Sequence, residues 1–239
     1  MKKSVIIIIV IIVIILIILI SYIIFKSIKF NNNIENYINM ENNIPQYADI
    51  NDPYFRPYIL KDLLTKDECK QIIDYAQNKL TDSEVISGKN LDVRNSKQCW
   101  IKKNSPLVNQ LFNKVSKMFN IPVENAEDLQ VVRYLPGEYF KEHHDGCCDN
   151  NVKCQEFINK SGQRILTVLI YLNNEFEEGY TYFPKLNLKL KTEPGNAIVF
   201  FPTASNSTKC HPLALHAGMP VKSGIKWICN IWFHEKKYN

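Results

Sequence analysis

The run from Tyr139 to Gly146, YFKEHHDG, sets two histidines and an aspartate side by side. Two imidazoles and one carboxylate gathered on one face of a metal leave positions open for non-haem Fe(II) oxygen chemistry. Only side chains on the same side of the backbone can share an ion. Leu129 to Tyr134 (LQVVRY) has the β-branched and aromatic content of a strand, and Pro136-Gly137 marks a bend before a second extended piece. Alternate side chains of an extended chain share a face, at a rise of about 3.3 Å per residue. His143 and Asp145 can therefore converge on one ion while His144 points the other way. A third ligand must come from a distance, and His211, His216 and His234 are the candidates. His211 precedes a proline in a turn-rich segment, His234 is nearly terminal, and His216 lies in LHAGMPVKSGIKW, just before the last apolar run. Ten residues beyond His216 stands Lys226. A cation beside a metal site needs an acidic partner, and a dicarboxylate ligand would supply one.

The elements that must position these residues follow from periodicity. Thr65-x-x-Glu68 has the form of a capping box, and Cys69, Ile72, Ile73, Ala76 and Leu80 follow at helical spacing. A second helix is predicted from Ser105-Pro106, cap and first-turn proline, with Leu107, Leu111, Val115 and Met118 on one stripe. After Leu129 come short extended runs: LQVVRY, ILTVLIYL (Ile165 to Leu172), LKLKTE (Leu188 to Glu193), AIVFF (Ala197 to Phe201) and WICNIWF (Trp227 to Phe233). Helices first, then strands with no helix between them, predict an α+β fold with an antiparallel barrel or sandwich. ILTVLIYL is apolar on both faces and belongs at the centre of a sheet; LKLKTE alternates and is half exposed.

The first residues address location. Ser4 to Phe25 carries no charge and is mostly Ile and Val, between Lys2, Lys3 and Lys26. As a helix it spans about 33 Å, enough for a hydrocarbon core of about 30 Å. More Ile and Phe follow Ser21-Tyr22, so no small-residue cleavage site is present and an uncleaved anchor is expected. The sequence divides into an anchor (1–29), an Asn-rich stalk (30–43) and one domain (44–239). The lysine bias favours a cytoplasmic N-terminus, hence a single-pass type II protein with its large domain in the lumen. The sequons at Asn159 and Asn206 fit that placement. Of the net charge of +5, four units are Lys2, Lys3, Lys26 and Lys29, so the remainder is nearly neutral and a nucleic-acid partner is not expected. Of the seven cysteines, Cys147, Cys148 and Cys154 crowd one insert, where they could bind zinc or form a disulfide.

RYLPGEYFKEHHD, RILTVLIYLN, EEGYTYFP, PGNAIVFFP and LHAGMPVKSGIKWICNIW occur in an order and spacing that resembles the catalytic domain of prolyl 4-hydroxylases, within the Fe(II)/2-oxoglutarate dioxygenases. The resemblance runs from about Pro57 to Phe233 and includes KDLLTKDEC and VRNSKQCWI. It implies a double-stranded β-helix (jelly roll) with N-terminal helices packed outside. It implies hydroxylation of peptidyl proline at C4, in collagen-like or proline-rich chains, coupled to oxidative decarboxylation of 2-oxoglutarate. Fe(2+), 2-oxoglutarate, O2 and L-ascorbate are the implied cofactors; the lumenal placement expected from the lysine bias and the sequons would be that of the endoplasmic reticulum. By the same resemblance His143, Asp145 and His216 match the iron ligands, and Lys226 the lysine that pairs with the far carboxylate of 2-oxoglutarate. Tyr134 and Thr167 match positions that help hold that cosubstrate. Arg164 matches a residue near the peptide, and Trp232 a wall of the pocket. The family's Gly-Gly turn appears here as Glu178-Gly179, followed by Tyr180 in place of an acidic residue. Two alternatives stand beside this reading: hydroxylation of another side chain such as lysine, or a non-catalytic jelly-roll binding module.

Overall fold

The computed structural model describes residues 20–22, 26, 47–84, 90–149 and 151–238. The chain divides into two units, Met1–Ile44 and Pro45–Asn239. In the first, the four described residues are helical. The expected span Ser4 to Phe25 lies almost wholly outside the described residues, and the stalk 30–43 entirely so. Among the described residues no helix is long and apolar enough to cross a membrane.

In chain order the second unit begins with β1 (Tyr58–Leu60), α1 (Lys66–Ala76), β2 (Thr81–Asp82), β3 (Lys97–Ile101) and α2 (Asn109–Phe119). There follow β4 (Leu129–Tyr134), β5 (Phe140–His143), α3 (Val152–Ser161), β6 (Arg164–Tyr171), β7 (Phe176–Glu178) and β8 (Thr181–Phe183). Last come β9 (Leu188–Leu190), β10 (Ala197–Phe200), β11 (His216–Gly218), β12 (Val221–Gly224) and β13 (Lys226–His234). A seven-stranded sheet has the order β1-β10-β6-β13-β4-β3-β2, a four-stranded sheet the order β5-β11-β8-β9, and β12 pairs with β7. All these pairings are antiparallel.

Strand parity explains how one sheet serves two purposes. Leu166, Val168 and Ile170 of β6, Cys229, Ile231 and Phe233 of β13, and Leu129 and Val131 of β4 share a core with Ile72 and Ala76 of α1 and Leu111, Phe112 and Val115 of α2. The alternate residues Leu169 and Tyr171, Ile228, and Val132 and Tyr134 form a second core with Phe183 of β8, Phe176 of β7 and Val221 of β12. The expectation that β6 is central holds: it lies between β10 and β13 and is apolar because both its faces are covered. β9 is an edge strand and only partly buried.

The capping box opens α1 as expected: Glu68 N–H donates to Thr65 Oγ1 at 3.2 Å, and Thr65 N–H to Glu68 Oε2 at 2.7 Å. Two expectations need correction. Ser105-Pro106 is not the start of α2 but a turn before it; Ser105 O accepts from Val108 N and Asn109 N, and the helix begins at Asn109. Met118, placed on the buried stripe, is exposed. A helix does interrupt the strand series: α3 forms within the Cys-rich insert, where the Asn151 side chain caps it by accepting from Cys154 N–H at 2.9 Å. The insert's cysteines are in disulfides, Cys147 with Cys154 and Cys148 with Cys210. Zinc is therefore not their role.

Candidate active site

β5 and β11 pair with His216 opposite His143, so two histidines 73 positions apart face each other across a ladder. Asp145 follows two residues after His143 and folds onto the same side. Its Oδ1 lies 3.6 Å from His143 Nε2 and 3.8 Å from His216 Nε2, and one ligand atom from each residue lies within 4.8 Å of the others. Backbone carbonyls fix both rings. His143 Nδ1–H donates to Lys141 O at 2.8 Å and His216 Nδ1–H to Ala214 O at 3.0 Å. A carbonyl can only accept, so each Nδ1 carries a proton and Nε2 is the nitrogen each ring turns inward. Burial, and then the neighbouring His143, push the His216 imidazolium down to a pKa of about 4, so it is neutral at pH 7. Burial alone would raise the Asp145 carboxyl, but the polar and charged groups around it hold it well below the usual carboxylate range. Three inward-facing ligand atoms, two imidazole nitrogens and one carboxylate oxygen, fit a divalent first-row metal and especially Fe(II).

The other carboxylate oxygen is occupied. Thr167 Oγ1 donates to Asp145 Oδ2 at 2.7 Å, and Trp232 Nε1–H donates to it at 3.0 Å. Both belong to the large sheet, where Thr167 and Trp232 are paired positions of β6 and β13. Thr167 touches the acid and is not among the residues lining the cavity that Lys226 enters, whereas Trp232 lines that cavity as well as bonding the acid. Arg164 is engaged too. Its Nε donates to Glu127 Oε1 at 2.5 Å, its NH1 donates to the Asp145 carbonyl at 3.1 Å, and its guanidinium lies 3.9 Å from the Trp232 ring centroid. Glu127 also meets His234 Nε2 at 2.8 Å. Thus the distant candidate His234 is bound to Glu127. The other, His211, stacks on Tyr54 and bonds the Asp52 carbonyl and Leu213 N–H. His144 turns away from the metal cluster, with its ring edge-on to Tyr47 at 5.3 Å.

Lys226 opens β13 opposite Tyr134 of β4 and is 1% exposed. Its ammonium donates to Gly179 O at 2.7 Å and lies 5.1 Å from the Tyr134 ring and 5.3 Å from the Tyr171 ring. No carboxylate among the described residues pairs with it. Burial, and secondarily Lys191, bring its pKa down to about 7. A buried ammonium with one acceptor, in the same cavity as the three donors, fits a ligand carrying a carboxylate at each end. Tyr134 and Thr181 line this cavity, with Arg94 and Asn230.

Arg94, Gln130 and Asn230 were not singled out from the sequence. Asn230 Nδ2 donates to Gln130 Oε1 at 3.0 Å, and Arg94 NH2 reaches the same oxygen at 3.5 Å. The signal was present: Gln130 and Asn230 are polar residues in otherwise apolar strands, at the parity of Tyr134 and Lys226. Outside the metal cluster the cavity gives onto a groove of about 920 Å³, walled by Trp100, Glu127, Arg164 and Trp232 on one side and by Phe157 and Lys160 of α3 with Tyr238 on another.

Residues 129–234 match the 2OG-Fe(II) oxygenase superfamily. The chain is 57% identical over 193 residues to a putative prolyl 4-hydroxylase of Acanthamoeba polyphaga mimivirus, covering 81% of this chain and 80% of that one. It is 32% identical over 210 residues to probable prolyl 4-hydroxylase 8 of Arabidopsis thaliana, covering 77% of this chain and 70% of the relative. Among solved structures, it resembles a viral collagen prolyl hydroxylase from Paramecium Bursaria Chlorella virus-1, crystallised as a 2OG complex. The TM-score is 0.58 at 31% identity, over 77% of this chain and 98% of that one.

Proposed function

The chain belongs to the prolyl 4-hydroxylases of the 2OG-Fe(II) oxygenase superfamily, and on that premise we propose that it hydroxylates proline in peptide or protein chains using Fe(II), 2-oxoglutarate and O2. The observation that carries this reading is the juxtaposition of the inward-facing His143, Asp145 and His216 with the unpaired ammonium of Lys226 in one cavity.

When bound, iron with 2-oxoglutarate supplies dioxygen activation, coupling decarboxylation of the oxo acid to succinate with transfer of one oxygen atom to carbon. His143, Asp145 and His216 hold the metal, with Asp145 kept anionic by its neighbours and aimed by Thr167 and Trp232. Lys226 receives the far carboxylate, and Tyr134 shapes the wall beside it. Arg164, tied to Glu127, stands at the junction of metal cluster and groove, where an extended peptide would lie. The cores of Phe183, Leu169 and Ile228 around the site exclude water from the reaction. Ascorbate, typical of the family, would keep the iron reduced.

The finer reading is a double-stranded β-helix domain on a single-pass type II anchor at residues 4–25, facing the endoplasmic reticulum lumen and acting on collagen-like or proline-rich chains. The uncharged N-terminal run, two disulfides and exposed sequon asparagines Asn159 and Asn206 support it. The test is mass spectrometry of proline-rich and collagen-like peptides incubated with the full chain, Fe(II), 2-oxoglutarate and ascorbate. One added oxygen on proline, matched by succinate, is expected. Oxygen on lysine alone, or no product with metal and cosubstrate bound, overturns the reading.

A further inference from the structure

Asp145 is followed by Gly146, Cys147 and Cys148, and both cysteines are cross-linked. Cys148 is bonded to Cys210, which lies 62 positions later in the chain and six before His216. The segment carrying one carboxylate donor is thus tied covalently to the segment carrying the distant histidine. The stretches between bridge and ligands are stiff. On the Asp145 side, the Gln163 side chain grips the Cys147 backbone twice, Oε1 accepting from its N–H at 2.7 Å and Nε2 donating to its carbonyl at 2.8 Å. A Cβ on Gly146 would come within 3.0 Å of Cys210 Sγ, so the loop and the bridge are in direct contact. On the other side, Pro212–Ala214 forms a 3-10 turn anchored by His211, and Ala214 O holds the His216 ring.

Non-covalent pairing between these two segments is sparse. β5 and β11 share only the His216–His143 and Gly218–Phe140 register positions, with a shift between them. We infer that the Cys148–Cys210 disulfide is a positioning element of the metal site, so that the chain's affinity for its metal depends on that bridge being oxidised. Cys148 borders the open groove, which gives a reductant a route to it. Reduction by a water-soluble phosphine breaks the Sγ–Sγ bond. The two sulfurs take up two electrons and two protons as thiols, and the phosphine becomes its oxide with oxygen from water. Such coupling confines activity to compartments where disulfides persist. The inference rests on reading His143, Asp145 and His216 as metal ligands.

The test is anaerobic Fe(II) titration of the full chain in mild detergent, with metal content and far-ultraviolet dichroism read on the same samples. Four samples are compared: oxidised chain, phosphine-reduced chain freed of phosphine, Cys148→Ser/Cys210→Ser and Cys147→Ser/Cys154→Ser. The oxidised chain and Cys147→Ser/Cys154→Ser should bind one Fe(II) with similar Kd. The reduced chain and Cys148→Ser/Cys210→Ser should bind it about ten- to a hundredfold more weakly at unchanged dichroism, the range found when groups that orient metal ligands are removed. Reducing Cys147→Ser/Cys154→Ser, in which only the bridge to Cys210 remains, should reproduce the loss. Equal affinity in oxidised and reduced chains overturns the inference and leaves the metal reading standing. Loss of dichroism in step with metal also overturns it, because the bridge would then hold the fold rather than the site. Absence of binding to the oxidised chain overturns the metal reading itself. Should Cys148→Ser/Cys210→Ser not fold, the reduced wild-type chain carries the same comparison.

Discussion

Thr167 of the large sheet donates its hydroxyl proton to Asp145 Oδ2 at 2.7 Å, while Asp145 Oδ1 faces the two histidines of the small sheet. One carboxylate thus divides its oxygens between two parts of the fold. Thr167→Val keeps the shape and removes the donor. It should weaken Fe(II) binding about tenfold or more, and Trp232→Phe, which removes the other donor, should do likewise. Equilibrium metal titration of both variants is the check. Unchanged affinity would show that the carboxylate needs no such aim.

His143 and His144 are neighbours with opposite fates. His143→Ala should abolish stoichiometric iron and succinate release, whereas His144→Ala should retain both. Metal analysis of the two purified variants decides it, and equal losses would refute the assignment.

Lys226 makes the pH dependence specific. Its pKa is about 7 in the folded chain against an ordinary 10.5, so between these values the unfolded chain binds a proton that the folded chain lacks. Stability without cosubstrate should therefore rise as pH increases from about 7 to 10.5. Binding of 2-oxoglutarate in the same window must restore the proton, so its affinity should fall by up to about tenfold per pH unit above 7. Calorimetry in buffers of different ionisation enthalpy will show proton uptake near pH 8. Its absence would mean the ammonium is already charged. Lys226→Ala should leave Fe(II) bound and raise the 2-oxoglutarate requirement about thirtyfold or more.

Glu127 sits between Arg164 and His234 in a buried cluster. Burial raises its pKa, but Arg164 and His234 more than reverse that. Glu127→Gln leaves the Arg164 guanidinium without its carboxylate and should cost on the order of 3 kcal/mol of stability. Urea denaturation without metal measures it; a change below about 0.5 kcal/mol would show that Asp145 and solvent suffice to balance the arginine.

Lumenal placement can be checked in intact microsomes. The large domain should resist protease until detergent is added, and endoglycosidase should raise its mobility. Digestion without detergent would reverse the proposed orientation.

The sequence disclosed whatever depended on local periodicity. LQVVRY reads as β4 because its residues suit a strand covered on both faces, and the two-residue repeat by itself separates His143 from His144. Longer-range facts needed more. His211, His216 and His234 could not be ranked by spacing alone, because only the register of β11 against β5 brings His216 to His143. Arg164 and Thr167 were recognised as site residues through family likeness, yet their partners, Glu127 and Asp145, lie 37 and 22 positions away. The Cys148–Cys210 pairing joins two loops that no local pattern connects. At α2, the serine-proline signal was real but served a turn, and the helix began where the chain turned its apolar stripe inward. α3 was missed because its insert has no clear apolar stripe and draws its order from an Asn cap and a disulfide.

The arrangement of donors over two sheets has a thermal consequence. His143 and His216 travel with the four-stranded sheet, Lys226, Tyr134, Thr167 and Trp232 with the seven-stranded one, and Asp145 is bonded to the latter while facing the former. The larger sheet is braced by α1 and α2, while the smaller has strands of only three or four residues. Heating will loosen the smaller partner first, and a spread of even 1 Å between the sheets separates catalytic groups that must act together. Turnover should consequently fade several degrees below the temperature at which the large sheet melts, and iron with its cosubstrate, by spanning the gap, should draw those two temperatures together.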